Sequence, residues 1–384
     1  MRVKPSLWPW AIAIALGVAV AFQISPGSGG PLRTTLSDGP TGHIRFKSGD
    51  ALPGGLTDGR PITPAIIDGE LSLPENCTAP FPAVVLLHGS LGLSQVQTDY
   101  SRRLRQNCYA TFAVDSFAGR GVHSTVENQI AVTTESMVID VYAALLLLQS
   151  HPLIDPNRIA VAGWSKGGTA VEHAMSNQVA KKFAPNAHGF VAYVAFYPWC
   201  GEQNFSQRKT GAPILFILAK ADDWVSAEAC SDYAKSLRKL GVDVHVRMFD
   251  AAHAFDNPEL TATYYPDAVV SGNCRYERRS DGFREIGSEV VHPWTEFDRY
   301  FASCSTFGAH TESNAEAARE AREAMFDFLD AYVATLPVAL PPWRPLSAQE
   351  GKPSRTPLER TRDIQHVLRF ARPMGPARHN HDSH

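Results

Sequence analysis

Gly163-Trp164-Ser165-Lys166-Gly167-Gly168 is the stretch that most narrows what this chain can fold into. An apolar run ending at Val161 precedes it, and the residues from Lys166 onward read as a helix. Gly-x-Ser-x-Gly between a strand and a helix marks a sharp turn that pushes one serine out at the top of a sheet. Glycines flank the serine because side chains there would meet crowded backbone. The following helix aims its free N–H groups and the positive end of its dipole at the serine, which favours negative charge developing beside it. Alone, the pattern also suits a tight glycine-rich turn with an ordinary serine, so the rest of the chain has to decide.

The rest of the chain alternates. Phe81-Pro82-Ala83-Val84-Val85-Leu86-Leu87 is a continuous apolar run, as expected of a strand buried on both faces of a parallel sheet. It leads into His88-Gly89-Ser90-Leu91-Gly92, a loop suited to presenting backbone N–H groups. Further strands are expected over 109–114, 158–161, 189–196, 213–218 and 242–249, with 44–47 and 66–73 ahead of them. Helices are expected over 97–107, 136–150, 226–240 and 315–331. This alternation defines an α/β class with a mostly parallel sheet covered by helices on both faces. The 384 residues suffice for one large domain of this kind. A net charge of −3 without a broad basic surface excludes nucleic acid as a partner.

The N-terminus has the signature of export. Arg2 and Lys4 precede an uncharged apolar run over 7–24, and Ala19-Val20-Ala21 offers a small-x-small cleavage site. The run is slightly shorter than the roughly 20 residues that comfortably span a bilayer. Residues 1–24 are therefore either a cleaved signal or a retained anchor, and the expected location is periplasmic or extracellular, free or membrane-tethered. Six cysteines in an exported chain imply disulfides whose pairing the count leaves open. None forms a CxxC pair, so zinc is not expected. Residues 25–42 read as a Gly/Pro/Ser linker and 43–335 as the α/β domain. Within it, 256–313 is a long, polar, irregular insertion placed to lie over a site as a lid. Residues 336–384 read as a poorly packed tail with prolines and arginines, and its terminal His379, His381 and His384 as a solvated end.

Three residues can build a nucleophilic site. Ser165 follows one expected strand, Asp222 follows 213–218, and His253 follows 242–249. Parallel sheets gather their sites at these strand ends, and the chain order Ser, Asp, His is that of α/β-hydrolases. Singly, Asp222 would pass for the cap of the next helix and His253 for a satisfied loop histidine.

Together with Asp115-Ser116-Phe117, Phe196-Tyr197-Pro198, Ala221-Asp222-Asp223-Trp224 and Ala252-His253-Ala254-Phe255, the elbow resembles the dienelactone hydrolase family over roughly 69–255, plus a closing helix near 315–331. The resemblance implies an α/β-hydrolase fold and ester hydrolysis without a cofactor. It makes Ser165 the nucleophile, His253 the base and Asp222 the acid, with Asp223 as the neighbouring alternative. It places the oxyanion hole at the backbone N–H groups of Ser90 and Lys166. The namesake enzymes differ: they use a cysteine nucleophile, a glutamate where Gly89 stands, and two arginines for the substrate carboxylate. Arg120 matches one of those arginines to within a residue, and Asn257 stands near the other. Nearness to the motifs assigns Leu91, Phe117, Trp164, Trp199 and Trp224 to the pocket wall. Placed on the family's strand order, the cysteines pair as Cys200–Cys230, Cys77–Cys108 and Cys274–Cys304.

The reading is thus a serine hydrolase of small carboxylic esters. A serine peptidase or acyltransferase on the same fold, and a binding protein with a degenerate site, compete with it. The oligomeric state leaves no mark in the sequence.

Overall fold

A computed structural model describes residues 30–57, 59–203, 209–279 and 281–334. The expected export segment 1–24 and the tail 336–384 lie outside the described residues.

Short β1 (Leu32–Arg33) pairs in parallel with β2 (Gly42–Asp50), and β2 pairs antiparallel with β3 (Thr63–Ser72). Of the 25–42 linker, 25–29 lie outside the described residues, and the reading of 30–42 is corrected here. Leu36 is fully buried in the core and its N–H donates to Ser150 Oγ at 2.7 Å, so the chain is already packed by this point. Then follow β4 (Phe81–Leu87), α1 (Gln95–Gln106), β5 (Ala110–Asp115), α2 (Thr134–Gln149), β6 (Ile154–Trp164), α3 (Lys166–Ala174), α4 (Asn177–Phe183) and β7 (Tyr193–Phe196). After a two-residue β8 (Glu202–Gln203), the chain adds β9 (Ile214–Ala219), α5 (Ala227–Lys239) and β10 (Val244–Phe249). The main sheet has nine strands in the order β1-β2-β3-β5-β4-β6-β7-β9-β10. From β5 to β10 every neighbouring pair is parallel.

The two faces of the sheet bury different residues of the same strands. Along β4, Ala83, Val85 and Leu87 join the core under α2, α3 and α5. Val84 and Leu86 join the opposite core under α1 and α7 (Ala315–Leu329). This accounts for the unbroken apolar run in the sequence: a strand covered on both sides has no polar face. Ser94 caps α1 through a capping box with Gln97, and Asn314 caps α7, so these helices begin where their side chains satisfy the free amides.

Residues 256–313 are not irregular. They form β11 (Thr263–Val270), β12 (Tyr276–Arg278), β13 (Phe283–Glu285), β14 (Val291–His292), α6 (Phe297–Cys304) and β15 (Thr306–Thr311). Antiparallel β11 and β15 make one small sheet, and β14-β13-β12-β8 make another. An aromatic cluster of Tyr276, Phe283 and Phe297 fills the second unit, with Trp199, Trp294 and Tyr300 against it. Strands β12, β13 and β14 are two or three residues long, too short to show a period, while β11 and β12 also pair with the distant β15 and β8.

Cys77–Cys108, Cys200–Cys230 and Cys274–Cys304 are disulfides, the pairing the resemblance implied. They close loops of 31, 30 and 30 residues, each worth about 3–4 kcal/mol in chain-entropy terms. Three disulfides fit an exported protein. Among the described residues no helix is long and apolar enough to cross a membrane, and no group of His, Cys, Asp or Glu has a metal-holding arrangement.

Candidate active site

The sheet register sets the site. Leu87 on β4 lies beside Gly163 on β6, Trp164 beside Phe196 on β7, and Ala219 on β9 beside Phe249 on β10. The loops that leave these strands therefore converge at one edge. Ser165 sits between β6 and α3 at φ 53° and ψ −118°, a conformation that a non-glycine residue adopts at a cost of about 1–3 kcal/mol. Tyr197 (φ 34°) and Ala254 (φ 58°) are also left-handed and lie at the ends of neighbouring segments. Strain of this kind gathers where a turn must aim a side chain.

Ser165 Oγ lies 2.9 Å from His253 Nε2, and His253 Nδ1 lies 2.7 Å from Asp222 Oδ2. A carboxylate only accepts, so Nδ1 carries the proton and Nε2 is left to accept from the serine. The side chains of His253 and Asp222 are buried. The other Asp222 oxygen accepts from the N–H groups of Trp224 and Val225, which fixes the carboxylate plane. Asp223 points elsewhere: it accepts from His310 N and Nδ1 on β15. Of the two adjacent aspartates, Asp222 is thus the one that reaches His253.

Ser90 lies on the loop after β4 and lines the cleft with Ser165, and Lys166 begins α3 directly after Ser165. An added Cβ at Gly89 would stand 3.1 Å from Ser165 Cβ, so the loop passes close to the serine here. Behind the loop His88 is fully buried. Its Nε2 accepts from Ser116 N–H at 3.1 Å and its Nδ1 donates to Gly89 O at 2.8 Å. Burial pushes its pKa down, which keeps the ring neutral in this bridging role.

The cleft above Ser165 measures about 460 Å³ including its solvent-open mouth. Leu91, Trp164 and Trp224 line it, as expected, together with Tyr197, Asn257 and Thr311. Two aromatic assignments are corrected. Phe117 is buried and packs edge-on against His88, 4.4 Å between ring centroids. Trp199 turns into the second small unit, donating its indole N–H to Ser271 O and packing on Tyr276 and Phe301. Arg120 is corrected as well. Its guanidinium is spent on Asp50, both oxygens of Asp140 and the carbonyls of Ser116 and Gly49, with the side chain 7% exposed. A buried, fully paired guanidinium is a structural pin and leaves no donor for a ligand.

Sequence reasoning missed Asp256. It is buried beneath the site and accepts from Tyr197 Oη at 2.5 Å and Trp164 Nε1 at 2.9 Å, tying together the ends of β6, β7 and the His253 loop. Burial raises its pKa despite these donors. The only sequence signal is its position three residues after His253.

Lys166 is the other surprise. Its side chain is buried and, among the described residues, has no ion pair; Nζ donates to Gln129 O and Oε1. Burial pulls the ammonium from 10.5 down to about 7, with Glu135 opposing weakly. The unfolded chain then binds this proton up to about pH 10.5 and the folded chain only to about 7, so the penalty is greatest below pH 7 and fades as pH rises between the two. Lys166→Met is therefore expected to raise stability by about 1–3 kcal/mol near pH 6.5, net of the lost hydrogen bonds, and by much less at pH 10. Urea unfolding at the two pH values checks it. A gain independent of pH would contradict the buried-charge explanation.

A mostly parallel sheet with serine after β6, aspartate after β9 and histidine after β10, in that chain order, is an α/β-hydrolase fold. The chain belongs to the dienelactone hydrolase family, whose model matches residues 67–279. Protein usf of Aquifex pyrophilus is 27% identical over 195 residues, which span 48% of this chain and 81% of that protein. A dienelactone hydrolase-like promiscuous phosphotriesterase from metagenomic libraries superposes with a TM-score of 0.45 at 18% identity, covering 76% of this chain and 99% of its own. A propionate-bound esterase of Thermogutta terrifontis gives 0.40 at 15% identity, covering 50% of this chain and 82% of its own.

Proposed function

We propose that this protein is an exported serine hydrolase of small, uncharged carboxylic esters. The observation that carries the reading is the relay Ser165 Oγ, His253 Nε2, His253 Nδ1, Asp222 Oδ2, with contacts of 2.9 and 2.7 Å at the floor of the cleft. In this mechanism Ser165 attacks the ester carbonyl while His253 takes its proton. Asp222 holds the imidazole in the useful tautomer and stabilises its positive charge. The amides of Ser90 and Lys166 bind the tetrahedral oxyanion, where one donor is worth about 3–4 kcal/mol of barrier. His253 then protonates the leaving alkoxide, and water activated by the same ring hydrolyses the acyl-enzyme.

The uncharged substrate follows from the lining. Among the described residues that line the cleft there is no lysine or arginine. Arg120 is committed to Asp50 and Asp140, and Asn257 stands in the cleft where the family resemblance would put a second arginine. A carboxylate-bearing lactone would lack a cationic partner here, whereas Leu91, Trp164 and Trp224 suit an apolar acyl group.

The test is covalent. A fluorophosphonate probe is expected to label the protein at Ser165, located by peptide mapping, and p-nitrophenyl esters from acetate to decanoate to be cleaved with a preference for the short chains. Label found on another residue, or an intact fold that takes no label, would refute the assignment.

A further inference from the structure

The two amides proposed to form the oxyanion hole belong to different loops, one after β4 and one after β6. Beyond the last ladder pair, Leu87 beside Gly163, the strands no longer fix their spacing. A third segment, the loop before α2, reaches both. Thr125 N–H donates to Ser90 O at 2.8 Å, which ties this loop to the backbone of Ser90. Gln129 goes further: its Oε1 accepts from Ser90 Oγ at 3.1 Å and from Lys166 Nζ at 3.2 Å, and its main-chain carbonyl also accepts from Lys166 Nζ. One half-buried side chain thus holds the side chains of both residues whose amides face the oxyanion.

We infer that Gln129 is a positioning residue that sets the separation of the two oxyanion-hole amides. The inference rests on the reading of Ser165 as the nucleophile and deepens it. It also gives a reason for the buried lysine. An amine without a carboxylate partner is costly to bury, and the fold accepts that cost where the amine anchors the residue after the nucleophile. The same loop is braced from its far side: Val126 packs with Trp224, and Val126 O accepts from Val269 N–H on β11 at 3.2 Å. The clamp is therefore mounted on a fixed strap between the Ser90 loop and the 256–313 unit.

An oxyanion donor that is displaced by a few tenths of an ångström weakens transition-state binding more than ground-state binding. Gln129→Leu keeps the size and removes the acceptor. It is expected to lower kcat for p-nitrophenyl acetate about ten-fold, less than the loss of a donor outright, with KM unchanged within about two-fold. Ser90→Ala keeps the amide and removes only the hydroxyl, and a smaller loss is expected. The double variant is expected to be no slower than Gln129→Leu, because both act through one contact. The rate of fluorophosphonate labelling, which passes through the same hole as the Ser165 Oγ–P bond forms and fluoride leaves, is expected to fall in parallel. Unfolding midpoints within a few degrees of wild type show that the variants are folded. Wild type that labels normally, with Gln129→Leu labelling at the same rate, overturns this inference alone. Losses that multiply in the double variant, or that fall on KM, overturn it too. Wild type that takes no label overturns the reading of the site and this inference with it.

Discussion

Ser165→Ala is expected to lower kcat/KM for p-nitrophenyl acetate by about 10⁵- to 10⁶-fold, Asp222→Asn by about 10⁴-fold, and Asp223→Asn by less than about three-fold. The grading follows from geometry. In the proposed mechanism no acyl-enzyme forms without Ser165, and only general binding and the proposed oxyanion donors remain. Asp222→Asn keeps the shape but presents an amide that can donate to Nδ1, so the ring is driven to the tautomer whose Nε2 already carries a proton and cannot accept one from Ser165. Asp223 faces His310 at an exposed position, and an asparagine there still accepts from the His310 amide. Steady-state rates of the three purified variants, with the fold checked by circular dichroism, decide the matter. If Asp223→Asn were the damaging change, His253 would be oriented by a different carboxylate from the one 2.7 Å away.

The contrast between the aspartates also marks how far the sequence could be read. The elbow, the strand-end positions of Ser165, Asp222 and His253, and the apolar runs of the parallel strands are local signals, and the sheet brings those three side chains into contact. The disulfide pairing comes from the family resemblance, which supplies the strand order that puts Cys200 and Cys230 in neighbouring β–α units. Side-chain direction was not legible. Phe117, Trp199 and Arg120 stand next to motif residues in the chain, yet each turns away from the cleft to partners elsewhere: Phe117 to His88, Trp199 to Ser271 and Tyr276, Arg120 to Asp50 and Asp140. Asp256 and Gln129 were invisible for the opposite reason: their partners lie 92 and 59 residues away at Trp164 and Tyr197, and 39 and 37 away at Ser90 and Lys166. The 256–313 unit reads as irregular because its strands are very short or pair with distant segments, including the contact of His253 with Thr311 that joins it to the site.

Gly167→Ala is expected to be severely damaging, with a loss of more than about 4 kcal/mol in urea unfolding or failure to accumulate as soluble protein. Its Cβ would stand 2.4 Å from His88 O and 2.5 Å from Leu87 O. Both are backbone atoms at the end of β4, and no rotamer change relieves the overlap. Relief requires α3 to move off the sheet, which would separate Lys166 from Ser90 and open the space between the two amides. Gly163→Ala meets a different backbone, that of α3, 2.3 Å from Gly167 O. Gly241 provides the control. It follows α5 at φ 83° with open space around the added carbon, so alanine there costs about 1–2 kcal/mol of left-handed strain and no packing. A Gly167→Ala protein no less stable than Gly241→Ala would mean that α3 can shift freely on β4. The glycine would then not be the device that seats the helix after Ser165 against the strand leading to the Ser90 loop.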